Sequence, residues 1–359
     1  MEKKAGPGRP ADRQHAIVHE LRGRIMRGEL APGARLPTHV TLEEGFGVSA
    51  MTIQRALSQL KSDGFVRVEG KRGTFVVDAL PHLSRYALIF PVTADKPGWT
   101  RFWTALVSEA ASLSHRGDQR DELPAYFGVD GHEDSPDYVR LVRDMHAHRV
   151  GGLIFASGPH ELQHTPLFTW PGVARVSLAD DSSFPMPSVW VDMDGFFQRA
   201  LDCVQSAGRR RVAFLHPRPG SQMRPRCANW LHERGLETRP YWWQSVSLES
   251  RGAARELMHL LMHAGAQHSP DALVISDDNL LEPATQGLLD AGCAPRDVEI
   301  VTHCNFPYPT PALLPVTRLG FDTRAVLNTC MQAIAAQRTR TPFAPLTRVP
   351  ALLECELGF

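Results

Sequence analysis

Residues 48–64, VSAMTIQRALSQLKSDG, read as a short helix with one buried and one presented face. Ile53, Ala56, Leu57 and Leu60 recur at i, i+3, i+4 and i+7. Ser49 is placed to cap the helix start through its hydroxyl, and Gly64 to stop the helix in a left-handed conformation. Met51, Thr52, Gln54, Arg55 and Ser58 lie opposite the apolar stripe. On periodicity alone this is an ordinary amphipathic packing element. The flanking residues change that reading. Upstream, Ile17, Val18, Leu21, Ile25 and Met26 keep helical spacing from His15 to Gly28, where Gly28 and then Pro32-Gly33 make a turn. Thr38 is positioned to cap a second helix that runs through Val40, Leu42 and Phe46 and stops at Gly47. Two helices around a tight turn at Gly47-Val48-Ser49 have helix-turn-helix spacing, in which the second helix enters a DNA major groove. Downstream the apolar period becomes two. Phe65–Val68, a basic turn at residues 69–73 and Thr74–Val77 read as a hairpin, or wing.

Composition sets the frame around this module. A chain of 359 residues with 43% hydrophobic and 22% charged residues is expected to hold more than one globular domain. No apolar run approaches the roughly 20 residues of a membrane helix, and MEKKAGPGRPADRQ lacks a signal-peptide core, so a cytoplasmic location is expected. Cys203, Cys227, Cys293, Cys304, Cys330 and Cys355 form no CxxC pair, which points to reduced thiols and neither a disulfide framework nor a zinc knuckle. The formal charges balance over the whole chain, yet residues 1–78 carry 13 Lys and Arg against 9 Asp and Glu, and the remainder 26 against 30. A basic module meeting a polyanion, joined to a larger body, fits that asymmetry. Residues 1–13 read as a disordered arm.

Residues 15–77 resemble the winged helix-turn-helix of GntR-type bacterial transcription regulators, through the GELAPGARLP entry, the FGVS turn, the MTIQRALSQL helix, the DGF step and the GKRGTFV wing. The resemblance implies sequence-specific binding of double-stranded operator DNA as a homodimer by a domain spanning residues 14–78. It places contacts on Arg35, Thr38, His39 and Val40, on Ser49, Ala50, Met51, Thr52, Gln54 and Arg55, and on Lys71, Arg72 and Gly73. Many members of the family carry Arg where this chain has Val40, Ala50 and Gln54. Gln54 would favour adenine over guanine, while Ala50 and Met51 suit a thymine methyl.

Residues 79–85 read as a linker, with Pro81 discouraging a helix. From Tyr86 onward strand-like apolar runs alternate with helical patterns. Strand-like segments are Tyr86–Val92, Val150–Ala156, Gly172–Leu178, Val212–His216, Asp271–Ser276 and Val298–His303, with Ser188–Val191 read as a crossing segment. Helical ones are Trp99–Leu113, Phe196–Ala207, Arg226–Gly235, Arg251–Ala264 and Leu280–Ala291. The fold class is therefore α/β with parallel sheets. Residues 86–359 resemble the LacI-type effector domain, built like a periplasmic binding protein with two lobes hinged over a ligand. The carriers are HRVGGLIF, VWVDMDGFFQRALDCVQSAGRRRVAFL, RPRCANWLHERG and PDALVISDDNLLEPATQGLLDAG. The resemblance implies crossings between lobes near Val191 and Thr317, and a polar small-molecule effector, expected to be sugar-like. It puts Arg226 where a ring hydroxyl or carboxylate is gripped, Asp277 where the second lobe closes the pocket, and Asn305 near a further polar contact. Trp103 and Trp243 are candidate stacking faces for a sugar, with core packing the alternative and the stronger reading for Trp242. Asp192 is either an effector contact or a helix cap.

His160-Glu161-Leu162-Gln163-His164 fits the HExxH pattern of zinc peptidases, but Pro159 and Pro166 bracket barely one helical turn. His259 and His263 share a helix face without a third ligand. No metal, cofactor or catalytic residue is expected, and the chain is read as a regulator, expected to repress, and not an enzyme. A fused pyridoxal-phosphate domain is the competing reading. It would need a Schiff-base lysine, and Lys96 is the only lysine after the wing. A ligand-free dimerisation domain is a further alternative.

Overall fold

The structure, a computed structural model, describes residues 10–78, 80–115, 122–217, 223–263 and 269–358, and their side chains except at 10–12, 71, 114–115 and 263. Of the expected disordered arm, residues 1–9 lie outside the described residues, while Pro10 already begins the first helix, α1 (Pro10–Met26). Then follow α2 (His39–Phe46), α3 (Ala50–Ser62), β1 (Val66–Val68) and β2 (Thr74–Val76). The stripe on α3 is buried, with Ile53, Ala56 and Leu60 at 0% exposure, and packs with Ile17, Leu21 and Ile25 of α1 and Phe65 after the helix. Helical spacing on α1 and α3 thus closes one small core, and β1 and β2 pair antiparallel with Val66 opposite Val76. Gly47 and Gly64 hold left-handed φ angles of 61° and 79°, a conformation that ends each helix at little steric cost. Ser49 has the extended backbone of a capping residue, but its hydroxyl meets Thr52 Oγ1 at 3.1 Å and takes no helix N–H.

The segment read as a linker is docked. Ala79 lies outside the described residues, and Pro81–Ser84 form a helical turn, α4, with proline at its first position. The missing N–H of proline is harmless there, since first-turn donors have no intrahelical partner. A Cβ on Gly64 would sit 3.1 Å from Pro81 Cγ, and the His82 ring stacks on Phe65 at 5.7 Å between centroids. On the other side, Arg338 Nη1 donates to the Leu83 carbonyl at 2.9 Å. Burial, with Arg338 and His148 nearby, pushes the His82 imidazole down to about 4, so it is neutral at pH 7.

The large domain has two parallel sheets. Lobe 1 is built by β3 (Tyr86–Ile89), α5 (Arg101–His115), β4 (Ala125–Tyr126), α6 (Pro136–His146), β5 (Gly152–Phe155), α7 (Pro166–Thr169), β6 (Ala174–Leu178) and β7 (Ser188–Val191). Lobe 2 follows with α8 (Met193–Ser206), β8 (Val212–His216), α9 (Met223–Glu233), β9 (Trp243–Ser245), α10 (Ala253–His263), β10 (Ala272–Ile275), α11 (Leu281–Asp290), β11 (Glu299–Phe306) and β12 (Thr317–Asp322). The chain ends through α12 (Thr323–Thr339), β13 (Leu346–Val349) and β14 (Leu352–Leu353). Strand order is β13-β7-β6-β5-β3-β4 in lobe 1 and β14-β12-β11-β10-β8-β9 in lobe 2, parallel throughout except for β12 with β14. The chain passes between sheets after Val191, at the end of β7. It passes again after Asp322, five residues beyond Thr317, because β12 still pairs with β11 and only α12 packs on lobe 1. A third passage separates β13 in lobe 1 from β14 in lobe 2. No helix among the described residues is long and apolar enough to cross a membrane.

Candidate nucleic-acid interface and effector cleft

The presented face of α3 carries Ala50, Met51, Gln54, Arg55 and Ser58 exposed and Thr52 half-buried. Beside it, Thr38 Oγ1 accepts from Thr41 N at 3.3 Å and fixes the start of α2, which leaves His39 and Val40 exposed in its first turn. Met51 is 57% and Val40 62% exposed, which leaves both apolar side chains free to meet base methyl groups. In the wing, Gly73 has φ 116°, and an added Cβ would lie 2.9 Å from Arg35 Nε. Only glycine lets the Arg35 side chain lie across the base of the wing. Arg72, 79% exposed at its side chain, reaches Glu69 Oε2 at 2.9 Å. Arg67 is committed within the wing, to Glu69 at 3.0 Å and Asp78 at 3.1 Å. The Lys71 side chain lies outside the described ones. Arg35, Arg55 and Arg72 therefore give the face its described positive charge.

The C-terminus of α3 is tied to lobe 1. The Asp63 carboxylate is fully buried and accepts from Arg22 Nη2 of α1 at 2.6 Å, from Gln59 Nε2 at 2.8 Å and from Arg149 Nε of lobe 1 at 2.9 Å, with Arg149 Nη2 closer still. Arg149 also donates to Asp144 at 3.1 Å, and Asp144 accepts from Tyr126 OH at 2.7 Å. Burial and this hydrogen bond to a carboxylate push the Tyr126 hydroxyl well above its ordinary range, so it stays a donor. A continuous polar chain thus runs from α3 into the lobe-1 sheet. Sequence separation hides it, because Arg149 is 86 residues from Asp63.

Between the lobes lies a cavity of about 440 Å³, lined from lobe 1 by Lys96, Trp99, Thr100, Arg101 and Thr104 and from lobe 2 by Leu248, Glu249, Arg251 and Asn279. The lobes touch beside it, where Arg101 N donates to Asn279 Oδ1 at 3.1 Å. At the hinge, Glu109 of α5 is 1% exposed, accepts from Arg324 Nε of α12 at 2.6 Å and from Tyr308 OH at 3.1 Å, and so joins both lobes. A smaller cavity of about 170 Å³ sits at the carboxyl ends of β8 and β10.

Of the six expected effector residues, Trp243 lines the smaller cavity, and the other five line neither. Trp103 is half-buried, packs on Phe90 and Trp99, and donates its indole N–H to the Ala156 carbonyl at 3.0 Å. Asp192 caps α8 by accepting from Gly195 N at 3.1 Å. Arg226 pairs with Asp194 at 2.5 Å, both side chains more than 40% exposed. Asp277 accepts from Asn279 N and Nδ2 at 2.9 and 2.7 Å, and burial together with Asp278 pushes its carboxyl up. Asn305, 1% exposed, donates to the buried Asp278, which also accepts from Thr310 Oγ1 at 2.9 Å. Trp242 is fully buried in the lobe-2 core. The HExxH histidines do not share a continuous helix, since His160–Leu162 form a single 3-10 turn and the His160 ring packs on Phe184.

Comparison with known proteins places both parts. Residues 13–76 match the family described as bacterial regulatory proteins, gntR family, and residues 202–353 match the periplasmic binding protein-like domain. The HTH-type transcriptional repressor NagR of Bacillus subtilis is 41% identical over 143 residues, which cover 36% of this chain and 51% of NagR. The mannosyl-D-glycerate transport/metabolism system repressor MngR of Escherichia coli is 42% identical over 60 residues, 17% of this chain and 25% of MngR. The chain thus spans about half, or less, of the curated relatives it matches. Among solved structures, a LacI family regulator from Lactobacillus casei with bound sucrose aligns with TM-score 0.53 and 16% identity over 76% of this chain and 98% of that one. A regulatory protein of the LacI family from Chloroflexus aggregans aligns with TM-score 0.58 and 14% identity over 75% and 96%. At such identities the likeness shows the fold.

Proposed function

We propose, from a chain that carries a GntR-type winged helix-turn-helix domain followed by a periplasmic-binding-protein-like domain of LacI-type fold, that it is a cytoplasmic transcription regulator. It binds double-stranded operator DNA as a homodimer, and occupancy of the interlobe cleft by a polar small molecule changes that binding. The observation that carries this reading is the presented face of α3, with Met51 exposed and Gln54 aimed away from a closed core, beside the exposed Val40 in the first turn of α2. Two modules on a palindromic site must be held about one helical turn, roughly 34–36 Å, apart, which is why a dimer is part of the proposal. The repressor names of NagR and MngR support the sign of regulation, and the sugar-bound neighbour supports an effector in the cleft. Arg226 enters as an effector grip that would exchange Asp194 for the ligand.

Two substitutions separate reading from attraction. Gln54→Ala is expected to relax preference at one base pair by about 1–3 kcal/mol, the worth of a bidentate contact, while leaving bulk-DNA affinity intact. Arg72→Ala is expected to weaken binding to every duplex alike and to reduce the slope of log affinity against log salt by about one. Fluorescence anisotropy on a panel of single-base variants at several salt concentrations checks both. An unchanged base profile in the first variant would remove Gln54 from the reading face.

A further inference from the structure

Three elements from distant parts of the chain meet on residues 149–152, the sequence RVGG at the entry of β5. Arg149 donates to the buried Asp63 at the end of α3. Gly151 N donates to the Arg85 carbonyl at 2.6 Å, and a Cβ built on Gly151 would lie 2.7 Å from the His82 carbonyl oxygen, so the backbone of α4 rests directly on this strand entry. A Cβ on Gly152 would lie 2.6 Å from Cγ2 of the buried Ile334 in α12. Adjacent glycines thus remove the side chains that would hold α4 and α12 away from the sheet. His148, just before Arg149, holds a left-handed φ of 52°, which residues with a side chain seldom adopt and which surrounding contacts must maintain. From this point α12 reaches to the hinge, its 17 residues spanning about 25 Å. Arg324 in its first turn pairs with Glu109, and Arg338 near its end donates to the Leu83 carbonyl of α4 at 2.9 Å. Gln337 Nε2 donates to the Arg175 carbonyl of β6 at 2.7 Å and fixes the same end to the lobe-1 sheet. The turn is anchored on its other side as well, since Leu80 is buried in the winged-helix core and the His82 ring stacks on Phe65.

We infer that residues 149–152 are a joint that makes the winged helix and lobe 1 one rigid body, with α12 as the arm that ties this body to the hinge. Closure of the cleft then turns the reading helix itself. The coupling half of this inference rests on the reading of the chain as an effector-controlled regulator, and the docking half does not. A loose tether would let the winged helix reorient whatever the lobes do, and an effector shifts DNA binding only as far as the open and closed forms differ in their affinity for it. A rigid joint supplies that difference, because rotation of lobe 1 about the hinge becomes rotation of α3. By linkage the coupling runs both ways, so DNA held on α3 must alter the hinge and the cleft rim.

Amide hydrogen exchange on the full-length protein tests the joint without any ligand. The N–H groups of residues 83–85 bond to the carbonyls of Leu80 and Pro81, within a single turn that would fray on its own. Their exchange is expected to be at least about tenfold slower than in an unstructured segment, and Gly151→Ala, whose methyl meets a backbone oxygen, is expected to remove that protection while α3 and β10 keep theirs. Arg338→Ala, a change at an exposed side chain, gives a smaller loss in the same residues and serves where Gly151→Ala does not fold. Free exchange of residues 83–85 in the wild-type protein, or unaltered protection in both variants, overturns the joint. For the coupling, the probe is duplex DNA recovered by selection on the protein. Its binding is expected to change exchange in the first turn of α12 and around Asn279, and the variant that loses protection at residues 83–85 is expected to bind the duplex without that remote change. No remote change in the wild-type protein, or an undiminished one in the undocked variant, overturns the coupling. Failure to recover any duplex sinks the regulator reading, while protection of residues 83–85 still upholds the joint.

Discussion

Asp63→Ala is expected to abolish sequence-selective DNA binding and to destabilise the winged-helix domain by about 3–5 kcal/mol, the cost of removing one partner of a buried ion pair. Its carboxylate has a side-chain exposure of 0% and holds Arg22, at 11%, together with Arg149, at 21%. Without it two guanidinium groups face each other around a buried void, and Gln59 loses its acceptor. Asp63→Asn keeps the shape and removes the charge, so an intermediate loss is expected. Arg149→Ala spares the Arg22 pair and should leave α3 folded while cutting its tie to lobe 1. Hydrogen exchange on α3 and on lobe 1 separates the cases. Asp63→Ala should expose α3 amides to exchange, whereas Arg149→Ala should leave them protected. Wild-type protection of α3 in Asp63→Ala would show that the cluster does not hold the reader.

Glu109→Ala is expected to loosen lobe closure and to lower stability by about 1–3 kcal/mol. The range sits below that for Asp63 because Arg324 keeps a side-chain exposure of 34% and can recover water. The carboxylate is the point where α5 of lobe 1, Tyr308 of the β11–β12 connection and the first turn of α12 meet. Its loss frees Arg324 at the passage between lobes. Glu109→Gln, which can still accept from Tyr308, should recover part of the effect. Small-angle scattering reads the outcome as a larger radius of gyration in Glu109→Ala, and an unaltered profile with unaltered stability would remove this cluster from the hinge.

The winged helix was legible because its determinants are local. The i, i+3, i+4, i+7 stripe on α3, the glycines at 47 and 64 and the period-two wing each lie within a few residues of what they specify. Most central strands of both lobes were legible as unbroken apolar runs, since strands buried on both faces need no polar alternation, but β7 and β12, which carry Ser188 and Arg318, were not. Edge strands were not. β4, β9, β13 and β14 are two to four residues long, and an edge strand gains its identity from the neighbour it pairs with. The docked turn at Pro81–Ser84 was hidden because proline reads as a breaker unless it falls at a helix start. At the candidate sites, the exposed residues of α3 follow from helical phase, but the capping roles of Asp192 and Asp277 compete with a ligand role that the same spacing would allow. The Asp63–Arg149 and Glu109–Arg324 pairs join residues 86 and 215 positions apart and leave no mark in any local pattern.

The central claim is that α3 reads DNA sequence. Selection of random double-stranded DNA on the full-length protein, followed by affinity measurement at fixed salt, tests it most directly. The expected product is a two-fold-symmetric sequence with half-sites about one helical turn apart, bound at least about 10³-fold more tightly than bulk DNA. No enriched sequence, and one affinity for every duplex, would contradict it.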